Sequence, residues 1–287
     1  MNNLHQISKT FHGKLLLAGE YTVLEGGSTL AIPFHKVAAY LCYNPNSQLT
    51  DFWQNLMVFF KENHIELNYD QFIEDIEKGL GYESSIPVGY GVGSSGALVA
   101  SLYDQYKIEE KAVDSLKSIL STMESFFHGK SSGIDPLVSF INRPILYHDG
   151  VATLLENDID LSDWYLIDSK LSRSTAEYVS IYKTEVKDNH KNAIVELQSL
   201  NETFIHNLIA NSDPSGILKQ ISEIQLKVFD KMITHEIKNF WVKGLTEGSY
   251  TMKLCGAGGG GYYLVFGKDL VSNDGLIPLF TTKSTKK

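Results

Sequence analysis

The sequence of 287 residues lacks the features that mark several common protein classes. Its two cysteines, Cys42 and Cys255, are too few for a disulfide framework and fit no CxxC metal motif. No apolar run approaches the ~18 residues of a membrane span. Residues 1–11 are polar and do not resemble a signal peptide. We therefore expect a cytoplasmic protein that does not bind a membrane.

The chain also lacks an excess of positively charged residues. The chain has 25 Lys and Arg against 34 Asp and Glu, a net charge of -9 at pH 7. Because nucleic-acid-binding proteins usually carry a basic face, this balance argues against a nucleic-acid partner. Hydrophobic residues make up 43% of the chain and charged residues 21%, as in ordinary globular proteins. The length suits one large domain or two closely packed ones.

The predicted secondary structure mixes helices and strands. Short apolar runs between turn residues predict strands at residues 14–17, 21–24, 29–32, 37–43, 144–147, 164–168, 251–254 and 262–266. Apolar residues at helical spacing predict two helices within residues 51–80, and others at 97–106, 109–127, 175–211 and 217–243. This order predicts an α+β protein of two packed halves, residues 1–160 and 161–287.

A glycine-serine segment at residues 87–97 precedes one of the predicted helices. Glycines allow positive φ and a close approach of the backbone to an anion, and the N–H groups at a helix N-terminus bind phosphate. Ser94 and Ser95 add hydroxyls that can meet phosphate or hydrated magnesium. An ordinary glycine turn with a serine cap is the alternative. Pro87 and Gly89 argue against a dinucleotide fold, and no Gly-Lys-Ser/Thr sequence closes a Walker loop.

Two other segments and two acidic residues are further candidates for a functional site. Lys14 and Glu20 interrupt an apolar strand pair near the N-terminus, and residues 253–261 carry five glycines and an alanine between two strands. Glu124 lies in the final turns of a predicted helix, and Asp135 follows a glycine turn. Taken alone, each has an ordinary explanation: a solvated edge lysine, a flexible linker, a solvated glutamate or an Asx turn.

In this order, however, the three segments resemble the signature of the GHMP kinases, the family of galactokinase, homoserine kinase, mevalonate kinase and phosphomevalonate kinase. Residues 87–97 match the family's Pro-x-x-x-Gly-Leu-Gly-Ser-Ser-Ala/Gly-Ala motif, with Val92 in place of leucine. Residues 253–261 match Lys-x-x-Gly-Ala-Gly-x-Gly-Gly. The N-terminal motif is met around Lys14 and Glu20, with His12 where proline is usual. The resemblance implies a two-domain fold, with a ribosomal S5 domain 2-like N-terminal half and a ferredoxin-like C-terminal half.

Within the family, two features favour different acceptors. The segment from His128 to Asp135 is similar to His-Gly-x-Pro-Ser-Gly-Ile/Val-Asp of mevalonate kinases, with Ser131 in place of proline. In those enzymes the aspartate is the proposed base, and a glutamate eleven residues earlier, where Glu124 stands, binds magnesium. Tyr21 favours phosphomevalonate kinase instead, because mevalonate kinases commonly have histidine there. We give the Asp135 segment more weight.

The resemblance also implies roles for named residues, with ATP and Mg²⁺ as cofactors and a small-molecule hydroxyl as acceptor. Asp135 would be the catalytic base, with Lys14 beside it, and Ser95 and Glu124 would hold the metal. Nucleotide binding is implied for Gly91, Gly93, Ser94, Ser95 and Gly96. Acceptor binding is implied for Glu20, Tyr21, Ser132, Gly256, Ala257, Gly258 and Gly259.

Mevalonate is the expected acceptor. A phosphomevalonate kinase and a sugar or amino-alcohol kinase of the same family are the nearest alternatives. A catalytically inactive nucleotide-binding regulator is an alternative of another class. Diphosphomevalonate decarboxylase is disfavoured, because the segment at Lys14 does not look like its N-terminal motif. Dimers are common in the family, so a homodimer is considered, although the sequence identifies no interface.

Overall fold

Two antiparallel β-sheets organise the chain, of which the computed structural model describes residues 4–270 and 275–279. The strands are β1 (His5–Gln6), β2 (Phe11–Ala18), β3 (Thr29–Tyr43), β4 (Leu80–Ser84), β5 (Ile145–His148), β6 (Val151–Leu154), β7 (Trp164–Asp168), β8 (Thr251–Leu254), β9 (Tyr262–Phe266) and β10 (Leu276–Pro278). The helices are α1 (Thr50–Glu62), α2 (Tyr69–Glu77), α3 (Ser94–Tyr106), α4 (Val113–His128), α5 (Ile134–Ile141), α6 (Thr175–Ile181), α7 (Lys191–Ile209), α8 (Ser215–Val228) and α9 (His235–Glu247). The α+β class is as predicted.

The first sheet is built around the 15-residue strand β3. β1 and β2 pair along one edge of β3, β4 and β5 pair along the other, and β6 extends the sheet beyond β5. The register of β2 against β3 shifts after His12, which lies opposite Ala38, whereas Gly13 lies opposite Phe34. Residues 35–37 therefore bulge out of the ladder, as extra residues in one strand must.

The second sheet has the strand order β10-β7-β9-β8, and every neighbouring pair is antiparallel. Counted within this half, the order is 4-1-3-2, the order of the ferredoxin-like fold that the resemblance implied. The four helices α6 to α9 all lie between its first and second strands. No described helix has the length and hydropathy that crossing a membrane requires.

The hydrophobic core is divided unevenly between the halves. One cluster of buried side chains lies within the first half, among α1 to α5 and the first sheet. The other cluster joins both halves, because Leu15 and Leu17 of β2 belong to it together with Trp164 and Trp241. The division near residue 160 stays a prediction, since the two halves share this second core.

Several of the predicted elements need correction. The predicted strand at residues 21–24 is wrong: Thr22–Glu25 forms a 3-10 turn, because Gly19 and Tyr21 take positive φ and turn the chain. The strands predicted at residues 29–32 and 37–43 are one strand, β3. Each of the two long predicted helices is divided, the first by a π-type turn at Tyr182–Val186 and the second by a turn at Asp230–Met232. The strands predicted from residue 144 onward are confirmed within one residue.

Candidate active site

A cleft of about 560 Å³ opens between the N-terminus of α3 and the loop that joins β7 to α6. Its walls include Gly91, Gly93, Ser94, Ser95, Asp135 and Arg173. Five of these six residues were selected from the sequence as nucleotide-binding or catalytic. The fold therefore brings the glycine-serine segment and the predicted base to one open site.

The glycine-serine segment forms a tight loop that ends in the first turn of α3. Gly89, Gly91 and Gly93 all have φ between 71° and 79°, a conformation that favours glycine. Gly93 is the N-cap, and the first intrahelical bond runs from the Ala97 N–H to the Gly93 carbonyl, at 2.9 Å. The N–H groups of residues 94–96 have no acceptor in the helix, so this end of α3 can bind an anion.

Lys14 connects this loop to β2. Its backbone N–H donates to the Val92 carbonyl at 2.9 Å, and a side chain at Gly93 would meet the Lys14 side chain, at 3.1 Å from Cγ. Gly13 is also required, because a Cβ there would lie 2.7 Å from the Val92 oxygen. The lysine side chain is thereby held beneath the loop, with the residue only 8% exposed.

Asp135 lines the cleft and pairs with Lys14, which lies beneath the loop. It lies in the first turn of α5, which begins after Gly133 with φ of 74°. The Asp135 Oδ1 atom is 3.1 Å from Lys14 Nζ, and one third of the aspartate side chain is exposed. A Cβ at Gly96 would lie 2.8 Å from the Asp135 carbonyl carbon, so α3 and α5 approach closely only because residue 96 is glycine. The pair combines a reachable base with a neutralising cation.

Glu124 is the second carboxylate of the site, and it is buried at 4% exposure. Ser95 Oγ donates to its Oε1 at 2.9 Å, and Ser131 Oγ donates to its Oε2. Burial, and secondly the nearby Asp135, raise the pKa of Glu124 to about 7, although the two hydroxyls and Lys14 act in the opposite direction. His128 Nε2 lies 3.0 Å from Ser95 Oγ on the open side.

This arrangement fits a magnesium ion that also binds phosphate. Among residues 4–270 and 275–279, no cluster of three or more His, Cys, Asp or Glu forms a metal cage. Mg²⁺ does not need one, because it is usually held by one or two protein oxygens together with phosphates and water. Ser95 and Glu124 offer two such oxygens beside the N-terminus of α3. A divalent cation would also offset the burial and repulsion that disfavour ionised Glu124.

Glu20 lies away from the cleft. Its side chain and that of Lys253 are both fully buried and form an ion pair, and Lys253 Nζ also donates to the Leu254 carbonyl at 2.8 Å. Burial raises the pKa of Glu20, against the opposing effect of Lys253. Its carboxylate connects the N-terminal segment around Lys14 and Glu20 to β8, and acceptor binding by Glu20 stays a prediction.

Tyr21 contacts the glycine segment at residues 256–261, and neither lines the cleft among the described residues. The Tyr21 hydroxyl donates to the Ala257 carbonyl at 2.6 Å, and its ring stacks on Tyr182 with the centroids 4.7 Å apart. Side chains at Gly258 and Gly259 would overlap with the Met232 carbonyl and with the Tyr178 ring. These contacts within the protein are enough to account for the burial of Tyr21 and for glycine at residues 258 and 259. Acceptor binding by residues 21 and 256–259 therefore stays a prediction.

Ser132 lies in the turn that leads to Asp135. It is exposed, and its Oγ accepts the Ile134 N–H at 3.3 Å. The predicted substrate contact of Ser132 therefore remains sterically open.

Arg173 is a cleft residue that sequence reasoning missed. A side chain at Gly91 would overlap with its Nη2 atom, and a Cβ at Gly256 would lie 2.7 Å from the same atom. Its guanidinium thus lies between the glycine-serine segment at residues 87–97 and the glycine segment at residues 253–261. Arg173 stands in a short polar segment with no motif around it. Its approach to residues 91 and 256 could not be read from the sequence, because it depends on how the halves pack.

The fold resembles that of several solved kinases. Mevalonate kinase of L. major in complex with R-mevalonate is 17% identical, with a TM-score of 0.61 over 94% of this chain and 89% of that chain. Lactococcus lactis galactokinase complexed with galactose is 13% identical, with a TM-score of 0.62 over 93% and 86%. Streptococcus pneumoniae phosphomevalonate kinase is 18% identical, with a TM-score of 0.58 over 92% of each chain.

By sequence, neither the protein-family models nor the curated proteins include a match. The likeness nevertheless covers nearly the whole chain. The chain therefore has the two-domain fold of the GHMP kinases, as the three glycine-bearing segments predicted.

Proposed function

We propose that this protein is an ATP-dependent small-molecule kinase, which transfers the γ-phosphoryl group of ATP to a hydroxyl of its acceptor. One observation carries the proposal: Asp135 pairs with Lys14 at 3.1 Å in the cleft that also holds Ser95 and the N-terminus of α3. Phosphoryl transfer depends mainly on positioning and on neutralising charge, and this cleft combines a base, a lysine and a helix N-terminus.

The nucleotide side of the site is the loop before α3. The free N–H groups of residues 94–96, with the helix dipole behind them, bind the phosphates. Ser95 and Glu124 would hold the magnesium ion, which neutralises charge on the phosphate oxygens when it is bound. Glu124 is oriented for this role by the hydroxyls of Ser95 and Ser131.

The acceptor side contains the base. Asp135 accepts the proton of the acceptor hydroxyl as that oxygen attacks the γ-phosphorus. Lys14 stabilises the negative charge on the transferring group from the position it occupies beside Asp135. No covalent intermediate on the protein is needed, because the two reactants are held side by side.

We propose mevalonate as the acceptor. The resemblance of residues 128–135 to the mevalonate-kinase segment supports this choice, and so does the fold likeness to a mevalonate kinase that binds R-mevalonate. Phosphomevalonate is the second candidate, on the basis of Tyr21.

The test is ADP release by the purified protein with ATP and magnesium, in the presence of mevalonate, phosphomevalonate, galactose, homoserine or no acceptor. Turnover that depends on mevalonate is the expected result. Turnover with phosphomevalonate alone would make phosphomevalonate the acceptor in place of mevalonate. Turnover with galactose or homoserine alone would assign the chain to another branch of the family. ATP binding without turnover on any acceptor would contradict the kinase proposal and indicate an inactive regulator.

A further inference from the structure

His128 lines the cleft beside Ser95, and no step of the proposed reaction involves it. Its Nε2 atom is 3.0 Å from Ser95 Oγ, and the His128 side chain makes no other hydrogen bond to the residues that the structure describes. The ring is exposed, with the ring of Phe127 at 6.2 Å between centroids. A charged histidine in the last turn of a helix also stabilises the helix dipole, which is the ordinary explanation for its position.

The helical spacing of α4 places His128 next to Glu124. The two residues are four positions apart, so their side chains lie on the same face of the helix. Ser95, in the first turn of α3, contacts both: its Oγ is 2.9 Å from Glu124 Oε1 and 3.0 Å from His128 Nε2. α4 ends directly after His128, because Gly129 takes a φ of 71°. Stabilisation of the helix dipole requires no such contact with another helix.

The single hydrogen of the Ser95 hydroxyl decides the direction of its bond with His128. A hydroxyl has one hydrogen and two acceptor lone pairs. Ser95 donates its hydrogen to Glu124, and a carboxylate that holds magnesium is ionised and can only accept. His128 must therefore donate from Nε2 to Ser95 Oγ, which a neutral imidazole can do when Nε2 carries its hydrogen. The second lone pair of Ser95 Oγ is left for a metal ion.

The other hydroxyl at Glu124 is held in a comparable way. Ser131 Oγ donates to Glu124 Oε2 and accepts the Gly133 N–H at 2.9 Å. Each carboxylate oxygen of Glu124 thus accepts from one serine, and each serine has a further donor that fixes its hydroxyl. A backbone N–H fixes Ser131, and the His128 side chain fixes Ser95.

We propose that His128 is a positioning residue of the magnesium site, which fixes the Ser95 hydroxyl so that Ser95 and Glu124 bind the metal together. The inference rests on the proposed function, because it assumes that magnesium and a nucleotide occupy the cleft. A serine side chain otherwise samples several staggered positions. With its hydrogen on Glu124 and one lone pair bonded to His128, the Ser95 hydroxyl keeps a single orientation. Loss of partners that orient metal ligands typically weakens metal affinity about 10- to 100-fold.

The test is calorimetric titration with a non-hydrolysable ATP analogue, in magnesium and in EDTA, so that no turnover is needed. We expect His128→Leu to weaken binding of the analogue in magnesium about tenfold or more, and to leave binding in EDTA unchanged. His128→Gln should keep most of the affinity, because its amide can still donate to Ser95. His206→Leu is the control and should bind like wild type, since His206 is an exposed histidine in the last turn of α7.

A double-mutant cycle with Ser95→Ala separates positioning from other effects of His128. Once the hydroxyl is gone, His128→Leu should cause no further loss of magnesium-dependent affinity. Losses that add fully in the double variant would overturn the inference. Equal weakening in EDTA and in magnesium would also overturn it, because His128 would then contact the phosphates directly.

The same titrations separate this inference from the kinase proposal. Weaker binding by His128→Leu in magnesium alone, without turnover by wild type on any acceptor, would support the inference and remove the kinase function. Turnover by wild type, with unchanged binding by His128→Leu, would overturn the inference and leave the kinase proposal intact. Absence of magnesium-dependent binding by wild type would overturn both.

Discussion

At the scale of single residues, two carboxylates lie at the site in different surroundings, Asp135 in the wall of the cleft and Glu124 buried beside Ser95. Asp135 is one-third exposed and paired with an ammonium group, whereas Glu124 is buried and bonded by two hydroxyls. Burial disfavours an ionised carboxylate, and an adjacent cation favours it. The two acids therefore suit different tasks: Asp135 can meet an incoming hydroxyl, and Glu124 can hold a cation.

Asp135→Asn tests the first task. The amide cannot accept the proton of the acceptor hydroxyl, so kcat should fall about 10²–10⁴-fold, the usual loss for a positioned general base. Binding of ATP should persist, as measured by fluorescence or calorimetry. Asp114→Asn is a matched control, because Asp114 is an exposed acid in the first turn of α4. Near-normal turnover of the Asp135 variant would remove it as the base.

Glu124→Gln tests the second task. The variant keeps the shape of the side chain but removes the charge that attracts a divalent cation. The magnesium concentration for half-maximal activity should therefore rise about tenfold or more, as expected when one charged ligand is lost. Steady-state titration with magnesium measures it. A titration that superimposes on that of wild type would exclude Glu124 from the metal site.

The raised pKa of Glu124 also predicts that the stability of the metal-free protein depends on pH. The pKa of Glu124 is raised in the folded state from 4.5 to about 7, so folding favours the protonated form. The stability from this group is complete below pH 4.5 and is lost as the pH rises through 7. Urea unfolding of both proteins from pH 5 to pH 8 should show that Glu124→Gln loses less free energy of unfolding than wild type. Equal losses in the two proteins would contradict the raised pKa.

At the scale of elements, the site depends on how closely the N-termini of α3 and α5 approach. α3 supplies the free N–H groups and Ser95, and α5 supplies Asp135. Gly96 lies between them, with no room for a Cβ. The distance between Asp135 and the loop before α3 is therefore set by the packing of two helix ends.

Gly96→Ala should separate these helix ends. Its Cβ would lie 2.8 Å from both the Asp135 carbonyl carbon and the Pro136 nitrogen, so the backbone must move. Overpacking of this kind costs about 1–3 kcal/mol, and turnover should fall because Asp135 is displaced. Thermal unfolding and kcat measure the two effects. Gly216→Ala in α8 is the control, because nothing lies within 4 Å of its added Cβ, and its stability should be unchanged or slightly raised.

Sequence periodicity predicted the type of most elements but not their interruptions. The strands β5, β7, β8 and β9 are confirmed, because apolar runs bounded by turn residues are a local signal. The turn at Thr22–Glu25 resembles a strand in the sequence because Val23 and Leu24 are apolar, but Leu24 is exposed and the segment pairs with no described strand. The breaks in the two long helices could not be predicted either, because the amphipathic pattern continues through them and neither break contains a proline or glycine.

At the scale of the whole molecule, one buried ion pair connects the two halves. The pair consists of Glu20, which precedes the 3-10 turn at Thr22–Glu25, and Lys253 of β8. Both side chains are inaccessible to solvent. The Glu20 Oε2 atom and the nearby Gln225 Nε2 have no hydrogen-bond partner among the described residues. Loss of one member of such a pair leaves a buried charge uncompensated.

Lys253→Met should therefore destabilise the protein by about 3–5 kcal/mol in urea unfolding. The double variant Glu20→Gln/Lys253→Met removes both charges and should recover much of this loss, because a neutral pair carries no desolvation penalty. Lys243→Met, an exposed lysine of α9, serves as the control. A single-variant loss below about 1 kcal/mol would show that the pair does not hold the halves together.

The sequence by itself determined the elements that are local in the chain. The glycine-serine loop, the turn before Asp135 and the glycine link between β8 and β9 could all be identified, because glycine spacing and helix starts act over a few residues. The GHMP kinase fold followed from the order of these segments.

Only the tertiary structure decided which side chains meet. Lys14 pairs with Asp135 from another part of the chain, Glu20 turns inward to Lys253, and Arg173 lies between Gly91 and Gly256. Each of these contacts depends on the register of β2 against β3 or on the packing of the two halves. Such long-range distances are set by topology and by the space that missing side chains leave, and no local pattern encodes either.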